Sequence, residues 1–198
     1  MLGQVLGLTA VGFLVTAAGS YLFQGIAPGF ATIAFFIGFG LLFAMRAAYK
    51  NPPIALLLFY AYTFVMGVFI APIISRYTQL NGNGIVFDAA AATGMGMAIL
   101  GGIAFTFSVD WRRFSGIAFG LLIALFVVML ISIFTNFLHP TVISWLVLGV
   151  FSLLTLIDFS RIRASQPWES PIQLAVSIYL DALNIFLAFL QIFGNRRS

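Results

Sequence analysis

Cysteine is absent from this chain of 198 residues, and charged residues make up only 7% of it. The missing cysteines exclude disulfides and thiolate metal sites. Lysine occurs once, at Lys50, and histidine once, at His139. A retinal protein needs a lysine in its last membrane helix, so that class is excluded. The basic residues form no run of the kind that binds nucleic acid.

Apolar residues dominate the composition. They account for 62% of the chain, aromatic residues for 16%, and the mean hydropathy is +1.12. Soluble domains hold about 45–50% apolar and about 25% charged residues. The composition therefore predicts an integral membrane protein whose main partner is the lipid bilayer.

Turn-forming and polar breaks divide the chain into seven apolar segments, each near the roughly 20 residues that span a bilayer. Continuous apolar runs favour helices over the alternating strands of a membrane barrel. We predict one all-α domain over residues 1–198, with Asp88 capping the start of the fourth helix. The predicted helices cover 4–23, 30–48, 54–76, 86–108, 115–137, 141–161 and 171–193.

Lysine and arginine are unequally divided between the two sides of such a bundle. If the odd-numbered helices run outward, six of them lie on the side of the N-terminus and three on the other. Since cytoplasmic loops are enriched in these residues, we predict a cytoplasmic N-terminus and an external C-terminus. The six are Arg46, Lys50, Arg112, Arg113, Arg161 and Arg163, and the three are Arg76, Arg196 and Arg197.

Two aspartates, Asp158 and Asp181, lie inside the last two apolar segments. A carboxylate in hydrocarbon costs about 2.5–3.5 kcal/mol by insertion scales, so such residues usually face a cavity or a partner. Antiparallel neighbouring helices can bring the two carboxyls together. Two carboxylates in a poorly solvated site cannot both ionise cheaply, so they would share a proton and titrate as one unit. A simpler alternative is that Asp158 forms a local ion pair with Arg161 or Arg163.

The ionised pair would also attract a cation. Two carboxylates fall short of the six to eight oxygens that calcium prefers, which favours a weak transit site over a storage site. Arg46, near the end of the second helix, is a candidate basic partner, although it could equally snorkel to the headgroups. The last helix carries a polar stripe that we predict faces inward, formed with Asp181 by Ser177, Asn184 and Gln191.

Enzymatic chemistry finds little support, because no nucleophile–base pair, metal cluster or intramembrane histidine is evident. Aspartyl intramembrane proteases use two membrane aspartates, but their Tyr-Asp and Gly-x-Gly-Asp signatures do not occur. We therefore expect no catalytic residues, no enzyme activity and no cofactor.

The third apolar segment contains Tyr62-Thr63-Phe64, Gly67 and Ala71-Pro72-Ile73-Ile74-Ser75-Arg76-Tyr77, and it resembles the third-helix pattern of the Bax inhibitor family. Asp158 and the stretch from Ser177 to Phe186 resemble that family's two aspartate-bearing helices. The resemblance covers nearly the whole chain in length and helix order. It implies a seven-helix bundle with the last helix central.

The resemblance also implies a function, a pH-sensitive calcium leak. We expect it to act in a bacterial inner membrane and without enzyme activity. Asp158 and Asp181 would be its proton sensor and cytosolic gate, and Arg46 the nearby basic partner. Some bacterial relatives carry an internal acid–arginine pair at positions that match Phe35 and Gln191, and this chain lacks both charges.

Two other functions stay open on the sequence. A proton-coupled secondary transporter would use the same two acids, although the inverted repeats that mark such proteins are not visible. A membrane-embedded regulator that binds other membrane proteins would not need the acids at all.

Overall fold

Seven long helices make up the computed structural model, which describes residues 1–107, 109–135, 137–166 and 169–197. All seven are long and apolar enough to cross a membrane. The helices are α1 (Leu2–Leu22), α2 (Pro28–Ala48), α3 (Pro52–Asn81), α4 (Gly84–Thr106), α5 (Ser115–Thr135), α6 (Pro140–Arg163) and α7 (Pro171–Arg197), with a short 3-10 helix at Trp111–Phe114.

The all-α, seven-helix prediction is confirmed, and most helix ends fall within two residues of the predicted positions. α3 is the main exception, because it continues five residues past the predicted end to Asn81. It stops where Gly82 adopts a positive φ of 79°, a conformation that glycine takes without steric cost. The prediction that Asp88 caps α4 is wrong, since the helix already begins at Gly84 and its N-cap is Asn83.

The last helix is the most buried of the seven, since 56% of its most apolar 18-residue stretch is buried inside the protein. It contributes to both of the compact units into which the chain divides. The first unit holds Met1–Gln79 and Gln166–Tyr179, and the second holds Leu80–Ser165 and Leu180–Ser198.

Close helix contact through glycine organises the first unit. A Cβ atom added at Gly19 of α1 would lie 2.6 Å from the carbonyl oxygen of Phe64 in α3, and one added at Gly67 would meet the Thr16 carbonyl. Such backbone contact needs small residues, as is common where membrane helices pack. Beside this contact, the buried Tyr179 hydroxyl lies 2.7 Å from Thr16 Oγ1, which donates to the Thr63 carbonyl at 2.9 Å.

In the second unit, α6 packs against α4 and α5. The Phe159 ring lies over Gly101 of α4, where an added Cβ would approach it to 3.2 Å. Arg163 ties the end of α6 to the end of α4, because its guanidinium donates to the carbonyl oxygens of Ala104, Phe107 and Val109. These are carbonyls at or just beyond a helix C-terminus, where a basic side chain is favourable.

The segment after α4 holds an exposed ion pair between Asp110 and Arg112. Arg112 Nε lies 2.8 Å from Asp110 Oδ1, and the two side chains are 48% and 46% exposed. The hydrogen bonds from Arg112 lower the pKa of the Asp110 carboxyl. This pair closes the turn into α5 and is separate from the aspartates of α6 and α7.

Candidate functional site

Asp158 lies near the C-terminal end of α6 and is largely buried. Its Oδ1 accepts a hydrogen bond from Arg161 Nη1 at 3.0 Å, one turn further along the same helix. The Asp158 side chain is 12% exposed, whereas that of Arg161 is 45% exposed. A buried carboxylate is therefore paired with a guanidinium that still reaches solvent, and the local ion pair considered from the sequence is present.

Asp181 lies in α7 and is only 4% exposed. Its carboxyl is close enough to Asp158 and Arg161 to interact electrostatically, and it lies near the Thr155 hydroxyl, which donates to the Phe151 carbonyl of its own helix at 2.7 Å. Its Oδ2 atom has no hydrogen-bond partner among the described residues. An unsatisfied buried oxygen of this kind is uncommon and is more often found at functional sites than in a structural core.

The helical period explains how these side chains meet. Thr155, Asp158 and Arg161 recur every three residues, so they follow one face of α6. Asp181 approaches that face from α7, within the second unit. We call Thr155, Asp158, Arg161 and Asp181 the acidic cluster.

The acidic cluster carries one positive and two negative groups when both acids are ionised. Arg161 offsets one of the two negative charges, and the other has no basic partner within the cluster. Among the described residues, no group of three or more His, Cys, Asp and Glu side chains is placed to hold a metal ion. Two neighbouring carboxyl groups are chemically able to share a proton.

Arg46 occupies the last turn of α2, where its side chain is exposed. It belongs to the first unit and the acidic cluster to the second. Its role as basic partner of the aspartates stays a prediction. Arg161 contacts Asp158 through a hydrogen-bonded ion pair.

The three other residues of the predicted polar stripe lie in different surroundings. Ser177 is half-buried in the first unit, and Asn184 donates to the Leu180 carbonyl of its own helix at 2.8 Å. Gln191 Oε1 accepts a hydrogen bond from Ser144 of α6 at 2.7 Å. That these residues form one inward-facing functional stripe stays a prediction. Gln191 has a defined structural partner in Ser144.

A second contact repeats this pattern one turn away. Asn195 Nδ2 donates to Thr141 Oγ1 at 3.2 Å, again between α7 and α6. We call Thr141, Ser144, Gln191 and Asn195 the neutral ladder. The sequence analysis missed Thr141 and Ser144, and also Thr155 of the acidic cluster. The available signal was spacing: Thr141 lies three residues before Ser144, and Thr155 lies three residues before Asp158. Hydroxyl residues are common in membrane helices, so this signal is weak.

The comparisons with known proteins agree with this architecture. The family described as "Inhibitor of apoptosis-promoting Bax1" matches residues 1–198. An uncharacterized membrane protein of Vibrio cholerae is 29% identical over 98% of this chain and 85% of its own length. An uncharacterized membrane protein of Streptococcus pyogenes serotype M1 is 30% identical over 76% of this chain and 68% of its own length.

Two further relatives are longer than the matched region. An uncharacterized protein of Helicobacter pylori strain J99 is 31% identical over 79% of this chain, and the match spans 66% of that relative. For an uncharacterized protein of Campylobacter jejuni the identity is 29% over 84% of this chain and 72% of the relative. The full-length family match and the seven apolar helices together identify the chain as an integral membrane protein that belongs to the Bax inhibitor family.

Proposed function

We propose that this protein is a passive, pH-sensitive leak for cations, calcium above all, and that Asp158 and Asp181 form its gate. The observation that carries the proposal is the Asp181 carboxyl, which is buried beside a second carboxyl and has one oxygen without a hydrogen-bond partner in the described part of the chain. A purely structural acid in a membrane helix would be expected to have its oxygens satisfied.

Protonation gives the gate its two states. With a proton shared between the two carboxyls, repulsion is removed and α6 and α7 can stay close. When both acids are ionised, Arg161 offsets only one of the two negative charges. The two carboxylates then repel each other and attract a cation. Conduction is therefore proposed to increase as the pH rises.

The number of oxygen ligands is in keeping with passage rather than storage. Calcium prefers about six to eight oxygens, and the acidic cluster offers two carboxyl groups and one hydroxyl. A site with so few ligands would release its ion readily, as conduction requires.

The proposed setting is a bacterial inner membrane with the N-terminus in the cytoplasm and the C-terminus outside. The uneven distribution of lysine and arginine supports this orientation. It would place the end of α6 with Arg161 and Arg163 at the cytoplasmic face, so that the gate senses cytoplasmic pH. Arg46 would lie on the same face and is proposed as an additional basic group near the gate.

The test is calcium flux into liposomes that contain the purified protein, measured across a series of symmetric pH values. The wild type is expected to conduct more as the pH rises. Asp181→Asn and Asp158→Asn each leave a single acid, so flux in these variants is expected to lose most of its pH dependence. Asp110→Asn is the matched control, because it removes an exposed acid outside the cluster, and it should retain the wild-type profile.

Each other outcome favours a different function. Flux that appears only when a proton gradient is imposed would indicate a proton-coupled transporter. No flux in any variant would reject transport and favour a regulator of other membrane proteins. Unchanged pH dependence in Asp181→Asn would remove the gate from the acidic cluster.

A further inference from the structure

The two arginines at the end of α6 differ in how firmly their guanidinium groups are hydrogen-bonded. Arg163 donates to three backbone carbonyls, which fixes its guanidinium. Arg161 donates a hydrogen bond to Asp158 Oδ1, and its side chain remains 45% exposed. Arg161 can therefore leave its partner and enter solvent with little loss, whereas Arg163 cannot.

The place that the Arg161 guanidinium occupies is the one that a cation would need. It lies 3.0 Å from an oxygen of the buried Asp158 carboxyl, beside Asp181. A guanidinium has no acceptor atoms, so it cannot help to coordinate a metal ion. A cation that binds Asp158 through this oxygen must displace it.

We propose that Arg161 is a tethered counter-cation, which occupies the Asp158 carboxylate at rest and competes with divalent cations for the acidic cluster. This inference rests on the proposed function in that it concerns the same carboxyl pair. It adds a residue that sets how much calcium the cluster requires. Charge neutralisation by a tethered group stabilises the unoccupied cluster, and a mobile ion replaces that group when its concentration is high enough.

The strength of the pair makes such competition workable. Helical ion pairs between residues three apart are weak when one partner is solvated. A long arginine side chain near a helix end also reaches the aqueous boundary readily once released. A fully buried pair would be displaced only at great cost, and a fully exposed one would not block the carboxylate.

The first experiment uses the wild-type protein and does not depend on flux. An arginine-selective dicarbonyl reagent is applied in detergent with and without calcium chloride, at constant ionic strength, and modification is located by peptide mass spectrometry. Calcium is expected to increase the modification of Arg161. Arg112, which pairs with an exposed aspartate outside the cluster, is the internal control and should not change. Calcium-independent modification of Arg161 would overturn the proposal.

The second experiment measures calcium-dependent thermal stabilisation in three variants. Arg161→Gln should lower the calcium concentration at half-maximal stabilisation by about two- to fivefold, the range expected for losing a partly exposed ion pair. Arg161→Lys restores the positive charge and should return the midpoint toward that of the wild type. Arg112→Gln, which removes the loop ion pair, should leave it unchanged. An equal midpoint in Arg161→Gln and wild type would overturn the proposal.

These readouts separate the two proposals. Calcium-dependent exposure of Arg161 without calcium flux would leave the competition in place and reject the leak. Calcium flux with an Arg161 that responds to neither test would support the leak and reject the competition.

Discussion

Two regions of the second unit join α6 to α7, and they do so with different chemistry. The neutral ladder uses uncharged side chains, with donor–acceptor distances of 2.7 Å and 3.2 Å. The acidic cluster uses ionisable groups, and one oxygen of Asp181 has no hydrogen-bond partner among the residues that the structure describes. The step along α6 from Ser144 to Thr155 is about 16 Å at 1.5 Å per residue, so the two regions are well separated.

Under the proposed function, one helix pair would be constant at one place and adjustable at another. Neutral hydrogen bonds do not change between pH 5 and 8, so the ladder should hold under all physiological conditions. The acidic cluster changes its net charge whenever it gains or loses a proton. If the proposed gate is correct, a change in protonation would alter the distance between the helices at the cluster while the ladder keeps them paired.

The largest effect on stability is expected for Arg163, the arginine that anchors the same end of α6. Arg163→Gln removes a charged donor from three carbonyls. Net hydrogen bonds to charged groups contribute about 1.5–3 kcal/mol, so we expect a loss of about 2 kcal/mol or more in unfolding free energy. Arg163→Lys should recover part of it, because a lysine keeps the charge but not the planar fork. Denaturant unfolding in detergent measures both, and a loss under about 0.5 kcal/mol in Arg163→Gln, within the usual range for surface substitutions, would contradict the anchoring role.

An intermediate effect of opposite sign is expected for Asp181→Asn. This substitution removes a buried charge and its repulsion with Asp158 while keeping a similar shape. Replacement of buried ionic groups is often neutral or stabilising, and we expect a gain of about 1 kcal/mol at neutral pH. The gain should shrink at low pH, because the wild-type aspartate is then protonated and is neutral like the asparagine. Thermal unfolding of both proteins across the pH range tests this, with Asp110→Asn as the exposed control. A clear destabilisation at neutral pH would show that the carboxylate itself supports the fold.

The smallest effect is expected in the neutral ladder. A double-mutant cycle with Ser144→Ala and Gln191→Leu should give a coupling energy of about 0.6 kcal/mol, the average for hydrogen bonds between membrane helices. Ser144 also donates to the Pro140 carbonyl, which keeps its hydroxyl partnered after the Gln191 substitution. The coupling should be the same at pH 5 and pH 8. A coupling that varied with pH would remove the distinction between the ladder and the acidic cluster.

Most of the fold could be predicted because hydrophobic length is a local property of the sequence. Seven apolar runs with turn-forming breaks leave few alternatives in a bilayer, where every backbone polar group must be satisfied within a helix. The errors came where local signals compete. Asp88 is a good N-cap residue in isolation, but α4 begins four residues earlier, at Gly84, and its N-cap is Asn83.

The candidate site was only partly predictable. Asp158 and Asp181 stand out in any apolar sequence, and the periodicity of α6 makes Arg161 a possible partner of Asp158. Which of Arg46, Arg161 and Arg163 would contact the aspartates was not decided by spacing, since all three are near helix ends. The contacts assign Arg161 to Asp158 and Arg163 to the end of α4, and the sequence held no signal for the second of these.

The sequence by itself determined that this chain enters a membrane as seven helices with two acids in the last two, because hydrophobicity and charge act residue by residue. Only the tertiary structure decided which polar atoms are satisfied. Ser144 meets Gln191, Arg161 meets Asp158, and one oxygen of Asp181 meets no described partner. These outcomes depend on the register and rotation of packed helices, which arise from the side-chain contacts of whole faces and are not encoded at any single position.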